Sequence, residues 1–258
     1  MGEPPLLAVE ELKKTFGALV ATDHASFSVE RGTITGLIGP NGAGKSTLFN
    51  CISGFYQPDG GTITLSGTDI TGLTPYEIVD HGLVRTFQTP RRLEGMTVRE
   101  AMLVGPREQP GETFHKLFTA PGAVAAHERE NLAAVDRMLE AFELDHLATQ
   151  PATDLSGGQL KLVELARAML TEPEILLLDE PVAGVNPTLA KDLATQIRRL
   201  HDEGTTFLII EHDMEFIMDL ADRIVVLDQG SVLTEGPPEA IRADDRVIDA
   251  YLGGGGRG

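Results

Sequence analysis

Three hydrophobic patterns follow one another along the chain. Over the first ~70 residues, short β-prone runs stand at Leu6 to Val9, Ala25 to Val29 and Thr62 to Leu65. The last alternates Thr-Ile-Thr-Leu, as a strand with one buried face does, and Gly60-Gly61 and Ser66-Gly67 bound it as turns. Between these runs, Thr33 to Ile38 predicts a strand leading into a glycine-rich loop, and Ser46 to Ile52 a helix. From about Arg91 to Leu155 strong strand runs cease. There Leu132, Val135, Leu139 and Phe142 recur at helical spacing, and the proline and glycine between Gly105 and Gly122 predict a surface loop. After Gly158 the alternation of helix and strand resumes. Leu162, Leu165, Ala166 and Met169 form one helix stripe. Ile175 to Leu178 and Phe207 to Ile210 are unbroken apolar runs, the pattern of parallel strands buried on both faces. Ile224 to Leu227 and Ser231 to Thr234 flank Asp228-Gln-Gly230, a hairpin signal. We therefore expect one domain over residues 1–258, with a helical subdomain over about 91–165 and a disordered tail over 253–258.

Composition narrows the classes. A hydrophobic share of 41% supports a substantial core, and with no Trp that core must be mainly aliphatic. A single cysteine, Cys51, excludes an internal disulfide and a multi-cysteine metal site. No apolar run approaches the roughly 18 residues of a membrane span, and no basic segment precedes an apolar one near Met1, so a cytosolic chain is expected. The net charge of −18 argues against a nucleic-acid partner, because phosphate backbones are bound by basic surfaces. An acidic surface with few lysines fits either a high-salt cytosol or an ordinary acidic protein from a GC-rich genome.

Gly39-Pro-Asn41-Gly42-Ala-Gly44-Lys45-Ser46 fits the phosphate-binding loop in full, with Thr47 following, and it falls between a predicted strand and a predicted helix. Glycines allow successive backbone N–H groups to turn toward phosphate oxygens, and the helix N-terminus adds positive potential. Lys45 is expected on the β- and γ-phosphates, and the Ser46 hydroxyl on Mg2+. Ile175-Leu-Leu-Leu178 ends in Asp179-Glu180. Beside a phosphate loop, Asp179 is placed to hold Mg2+ through water, and Glu180 to polarise an attacking water. Ser156-Gly157-Gly158-Gln159 opens another helix, either as a second anion-binding turn or as a simple serine cap.

Leu155-Ser-Gly-Gly-Gln159, together with the two motifs above, resembles the signature of ABC ATPases, and the resemblance covers nearly the whole chain. It implies an α/β fold: a phosphate-loop, RecA-like ATPase core with an N-terminal antiparallel β subdomain and a helical insert. By the same resemblance Phe16 is either an aromatic stacking on adenine or a core phenylalanine at a strand end. Gln88 looks like the glutamine that touches Mg2+ and the attacking water, and His212 like the histidine that contacts the γ-phosphate. Where most of the family has a loop ending Leu-Asp, this chain has Val185-Asn186, which lacks the charge.

Arg85-Thr-Phe-Gln88, Gly184-Val-Asn-Pro187, Glu211-His-Asp-Met214 and Val247-Ile-Asp-Ala-Tyr-Leu-Gly253 resemble, in particular, the ATPase subunits of branched-chain amino-acid importers. Urea or amide importers are similar, and a soluble ABC ATPase outside transport is a more distant alternative. The resemblance implies ATP and Mg2+ as ligands, and a second ABC ATPase subunit paired head to tail. It also implies two membrane permease subunits and, indirectly, an extracytoplasmic solute-binding protein. The chain is then expected at the cytoplasmic face of the membrane, touching a permease through the surface near Arg91 to Arg99.

Overall fold

The computed structural model describes residues 4–86, 94–105 and 121–253. Two sheets are present among them. In the first, β1 (Leu7–Phe16), β2 (Leu19–Val29), β4 (Gly60–Leu65) and β5 (Thr68–Asp69) lie antiparallel in the order β2-β1-β4-β5. Leu7 pairs with Val29 on one side and Leu65 on the other. In β4, Ile63 and Leu65 are buried while Thr62 is exposed, as the alternation predicts.

The second sheet contains β3 (Ile34–Ile38), β6 (Leu83–Arg85), β7 (Ile175–Asp179), β8 (Thr206–Ile210), β9 (Arg223–Asp228) and β10 (Ser231–Gly236), in the order β10-β9-β3-β8-β7-β6. All neighbours are parallel except β9 and β10. Every residue of β3 and β8 is buried, which explains the unbroken apolar run Phe207 to Ile210 and leaves Thr35 of β3 as a buried polar residue. The β9–β10 hairpin turns at Gln229 and Gly230, both at positive φ (46° and 86°). That is the primed geometry suited to the twist of the strands. Because β3, β7 and β8 run in the same direction, the residues after Ile38, Asp179 and Ile210 emerge at one edge, the usual ligand side of such a sheet.

Helix α1 (Lys45–Ile52) follows β3 and buries Leu48, Phe49 and Ile52 in the aliphatic core with Leu7, Val9, Leu37, Leu177 and Leu208. Burying such a side chain contributes roughly 1.5–3 kcal/mol each. The phosphate loop is thus fastened to the buried hydrophobic core through α1.

The chain divides into two compact units, 1–88 with 173–183 and 194–258, and 89–172 with 184–193. Besides both sheets and α1, the first holds α2 (Pro75–Asp80) and, after the second unit, helices 214–220, 238–242 and 245–253. The second holds α3 (Val98–Met102), α4 (Pro121–Ala141), α5 (Gly157–Met169) and the first turns of α6 (Pro187–Asp202). The three helices of the later part of the first unit are α7 (Met214–Leu220), α8 (Pro238–Arg242) and α9 (Asp245–Gly253). Val135, Leu139 and Phe142 are buried as the spacing predicts, whereas Leu132 is 38% exposed. At 100° per residue Leu132 falls on the edge of that stripe rather than its centre. Gln88, most of the Gly105 to Gly122 segment, Arg91 and Arg92, and the end of the tail from residue 254 lie outside the described residues.

Candidate active site

The phosphate loop owes its shape to two glycines that no other residue could replace. Gly44 is the N-cap of α1 at φ +97°, and a Cβ there would stand 2.2 Å from the Ala21 carbonyl oxygen. At Gly39, φ is +154° and a Cβ would stand 2.1 Å from the Leu227 carbonyl oxygen. The β9–β10 turn braces the loop from outside, with the Gly230 N–H donating to the Ala43 carbonyl at 2.9 Å. No side chain caps α1, so its first N–H groups are available to an anion. Lys45 is buried, and its Nζ donates to the Gly39 and Pro40 carbonyls at 2.7 and 3.0 Å. Burial lowers its pKa from the ordinary lysine value, and nearby Glu180 works in the opposite direction.

An open cavity of about 280 Å³ lies over this loop, lined by Asn41, Gly42, Ala43, Gly44, Lys45, Ser46 and Thr47, by Leu19, Val20 and Ala21 of β2, and by His212. Phe16 is not a core residue, being 43% exposed at the end of β1, with its ring edge-on to Tyr56 at 5.3 Å. It does not line the cavity. Leu19 and Val20, exposed apolar residues just after the Gly17 turn, do.

At the ends of β7 and β8 the carboxylates and histidine come together. Glu180 has φ +49°, a left-handed conformation that costs a non-glycine residue roughly 1–2 kcal/mol. It is held there by its N–H bond to the Ile210 carbonyl at 2.9 Å and by its Oε1, 2.9 Å from His212 Nε2. A carboxylate only accepts, so the bonded form of His212 carries its proton on Nε2. Glu211, 2% exposed, accepts three backbone N–H bonds: Val182 on Oε1 at 2.9 Å, and His212 and Asp213 on Oε2 at 2.9 and 3.3 Å. It therefore fixes both the segment after Glu180 and the segment carrying His212. Asp179 Oδ2 accepts from Arg85 at 2.7 Å.

The Ser156 segment belongs to the second unit. Ser156 and Gln159 form a capping box on α5, with the Gln159 N–H donating to Ser156 Oγ at 3.3 Å and the Ser156 N–H to Gln159 Oε1 at 3.0 Å. Ser156 and Gly157 are exposed; Gly158 is buried so close to Leu189 that a Cβ would meet its side chain at 2.2 Å.

A family model described as "ABC transporter" matches residues 22–183, and one described as "Branched-chain amino acid ATP-binding cassette transporter" matches residues 231–257. The chain belongs to the ABC transporter family. Its curated relatives include the "High-affinity branched-chain amino acid transport ATP-binding protein LivG" of Salmonella typhimurium, 45% identical over 253 residues, covering 96% of this chain and 98% of that one. The "Probable branched-chain amino acid transport ATP-binding protein LivG" of Archaeoglobus fulgidus is 42% identical over 248 residues, covering 96% and 95%. Among solved structures, an ATP-binding cassette of an ABC transporter in its ADP conformation superposes with a TM-score of 0.85 at 39% identity, over 97% of this chain and 100% of that one.

As an ABC transporter ATPase, the chain has the expected α/β core with an antiparallel β sheet. Five contributors to the site were not evident from the sequence. Leu19 and Val20 could have been noticed as an unprotected apolar pair beside a turn. Glu211 and Arg85 stand in quoted motifs, but their roles come from partners remote in sequence, Val182 and Asp179. Tyr251 of α9 has its phenol pKa raised chiefly by burial, with the Gly39 backbone N–H working in the opposite direction. No helix among the described residues is long and apolar enough to cross a membrane.

Proposed function

We propose that this chain is the ATP-hydrolysing subunit of a membrane importer for branched-chain amino acids. One observation carries the catalytic part: the cavity over Lys45 and Ser46 has His212 on its wall, and His212 is hydrogen-bonded to Glu180 at the end of β7. The names of relatives at 40–45% identity over nearly the full length support the substrate class. In this reading Gly39, Asn41, Gly42, Gly44, Lys45, Ser46 and Thr47 cradle the phosphates, and Phe16 with Leu19 and Val20 meets the base. Glu180 polarises the attacking water, and His212 orients Glu180 until the γ-phosphate takes its Nε2 proton donor. Gln88 completes the water's contacts.

Ser46 and Asp179 supply hard oxygen donors, one hydroxyl and one carboxylate, which suit Mg2+ shared with nucleotide phosphates. When bound, Mg2+ would neutralise charge on the β- and γ-phosphates. The partner ATPase would present its Ser156, Gly157, Gly158 and Gln159 to the same nucleotide in a head-to-tail dimer. Two permeases would hold the pair at the cytoplasmic face of the membrane, supplied by an extracytoplasmic binding protein.

Glu180→Gln keeps shape and removes the charge that polarises water. With ATP and Mg2+ it should form a stable dimer by size-exclusion chromatography, and Ser156→Arg added to it should abolish that dimer. Each is to be run alone and with the paired ATPase subunit. A Glu180→Gln protein that stays monomeric in both cases, or hydrolyses ATP at the wild-type rate, refutes the assigned roles. Leucine uptake, against urea, by the reconstituted transporter decides the substrate.

A further inference from the structure

Arg85 is the last residue of β6, three positions before Gln88. Its side chain is only 10% exposed, as is that of Asp179 at 11%. One arm of the guanidinium donates to Asp179 Oδ2 at 2.7 Å. The other donates to Asn50 Oδ1 at 2.7 Å and Ser53 Oγ at 2.9 Å, both from the end of the helix that begins with Lys45 and Ser46. The rings of Phe49 and Phe55 lie 5.5 and 5.6 Å from its central carbon. Its Nε is buried and has no hydrogen-bond partner among the described residues. A planar fork with several fixed donors can hold a carboxylate and two neutral acceptors at once, which a lysine ammonium on a flexible stem does not.

Arg85 therefore bonds both the strand that carries Asp179 and the helix that carries Ser46. We infer that Arg85 is a positioning residue for the metal site: it fixes the orientation of Asp179 relative to Ser46, leaving Oδ1 for a metal-bound water. Partners that orient metal ligands typically change metal affinity by roughly 10- to 100-fold when removed.

The inference rests on the assignment of Asp179 to Mg2+, and the experiment separates the two. Mg2+ is titrated into wild type, Arg85→Gln, Arg85→Lys and Asp179→Asn, each holding a fluorescent ATP analogue, and the Mg2+-dependent change in equilibrium nucleotide binding is read. Arg85→Gln is expected to bind the analogue without Mg2+ as wild type does, and to need about tenfold more Mg2+ for half the change. Arg85→Lys, which keeps the charge, should recover part of that loss; a purely structural residue would lower the melting temperature without moving the Mg2+ midpoint. Should Arg85→Gln not fold, Arg85→Lys carries the test, with about a threefold rise expected. A midpoint within twofold of wild type, or a tighter one, in the folded Arg85 variant overturns the inference while Asp179→Asn still shifts. If Asp179→Asn leaves the midpoint unmoved, the Mg2+ assignment itself fails.

Discussion

Glu211 offers the sharpest test of how the site is held, because its carboxylate has one described task. It is 2% exposed and accepts backbone N–H bonds from Val182, His212 and Asp213. Glu211→Gln preserves size and can keep one acceptor, the oxygen facing Val182. Its amide nitrogen must then face the His212 and Asp213 N–H groups, donor against donors. Two bonds to a charged acceptor are lost, each worth roughly 1.5–3 kcal/mol, and two N–H groups are left unsatisfied. Loop relaxation and relief of a buried charge offset part of this, so we expect a net loss of about 2–4 kcal/mol. For a chain of this size that corresponds to a fall in Tm of roughly 5–10 °C. Activity should fall further than stability explains, because the freed segment carries His212. The assay is calorimetry on Glu211→Gln, with ATPase rates at a temperature where both proteins are folded. A Tm within about 1 °C of wild type, or a normal rate, refutes the proposed tie.

Two further outcomes follow from perturbed groups. Asp59 has its pKa lowered from 3.8 to about 2, chiefly by the Thr15 hydroxyl at 2.7 Å, then by the Thr15 N–H and Lys14. A depressed carboxylate contributes stability above its unfolded value and loses it as pH falls through the folded one. The stability gap between wild type and Asp59→Asn should therefore be present at neutral pH and close between about pH 4 and 2, and Thr15→Val should raise the Asp59 midpoint seen by NMR; a gap independent of pH is the contrary result. Cys51 is buried, and that burial raises its pKa from 9.0 to about 11, so at about pH 8 a thiol reagent should label it only as the protein unfolds, whereas rapid labelling of native protein is the contrary result.

How much of this was legible beforehand depends on the range of the interaction. The parallel strands β7 and β8 announced themselves, since they are buried on both faces and so read as continuous apolar runs. The phosphate loop was equally plain, since its function resides in backbone geometry that only a local run of glycines permits. Arg85 and Glu211 were not. Each is an ordinary charged residue whose meaning comes from partners 94 and 29 positions away, Asp179 and Val182. The motifs Arg85-Thr-Phe-Gln88 and Glu211-His-Asp-Met214 marked the segments, but nothing local told which partner either side chain would bond. Phe16 was expected as either core or adenine platform, and its 43% exposure removes the first.

Asn186 shows why one residue can satisfy two demands and so be misread from either side. It departs from the acidic residue that the resemblance led us to expect, and lacks that charge. In the structure its Oδ1 accepts from the Leu189 N–H at 3.0 Å, and Pro187 opens α6 immediately after it. That is an N-cap followed by proline at the first helical position. Asparagine and aspartate cap helices about equally well, so the start of α6 tolerates the exchange. What the exchange removes is a negative charge near the helix N-terminus, worth roughly 0.3–1 kcal/mol. Ser156 follows the same logic at α5: the hydroxyl that accepts from Gln159 in the capping box is the group that would meet a partner's nucleotide. A cap hydroxyl at an exposed, glycine-flanked helix start is already oriented beside unsatisfied N–H groups, so the local cap and the anion site are alternative uses of one geometry.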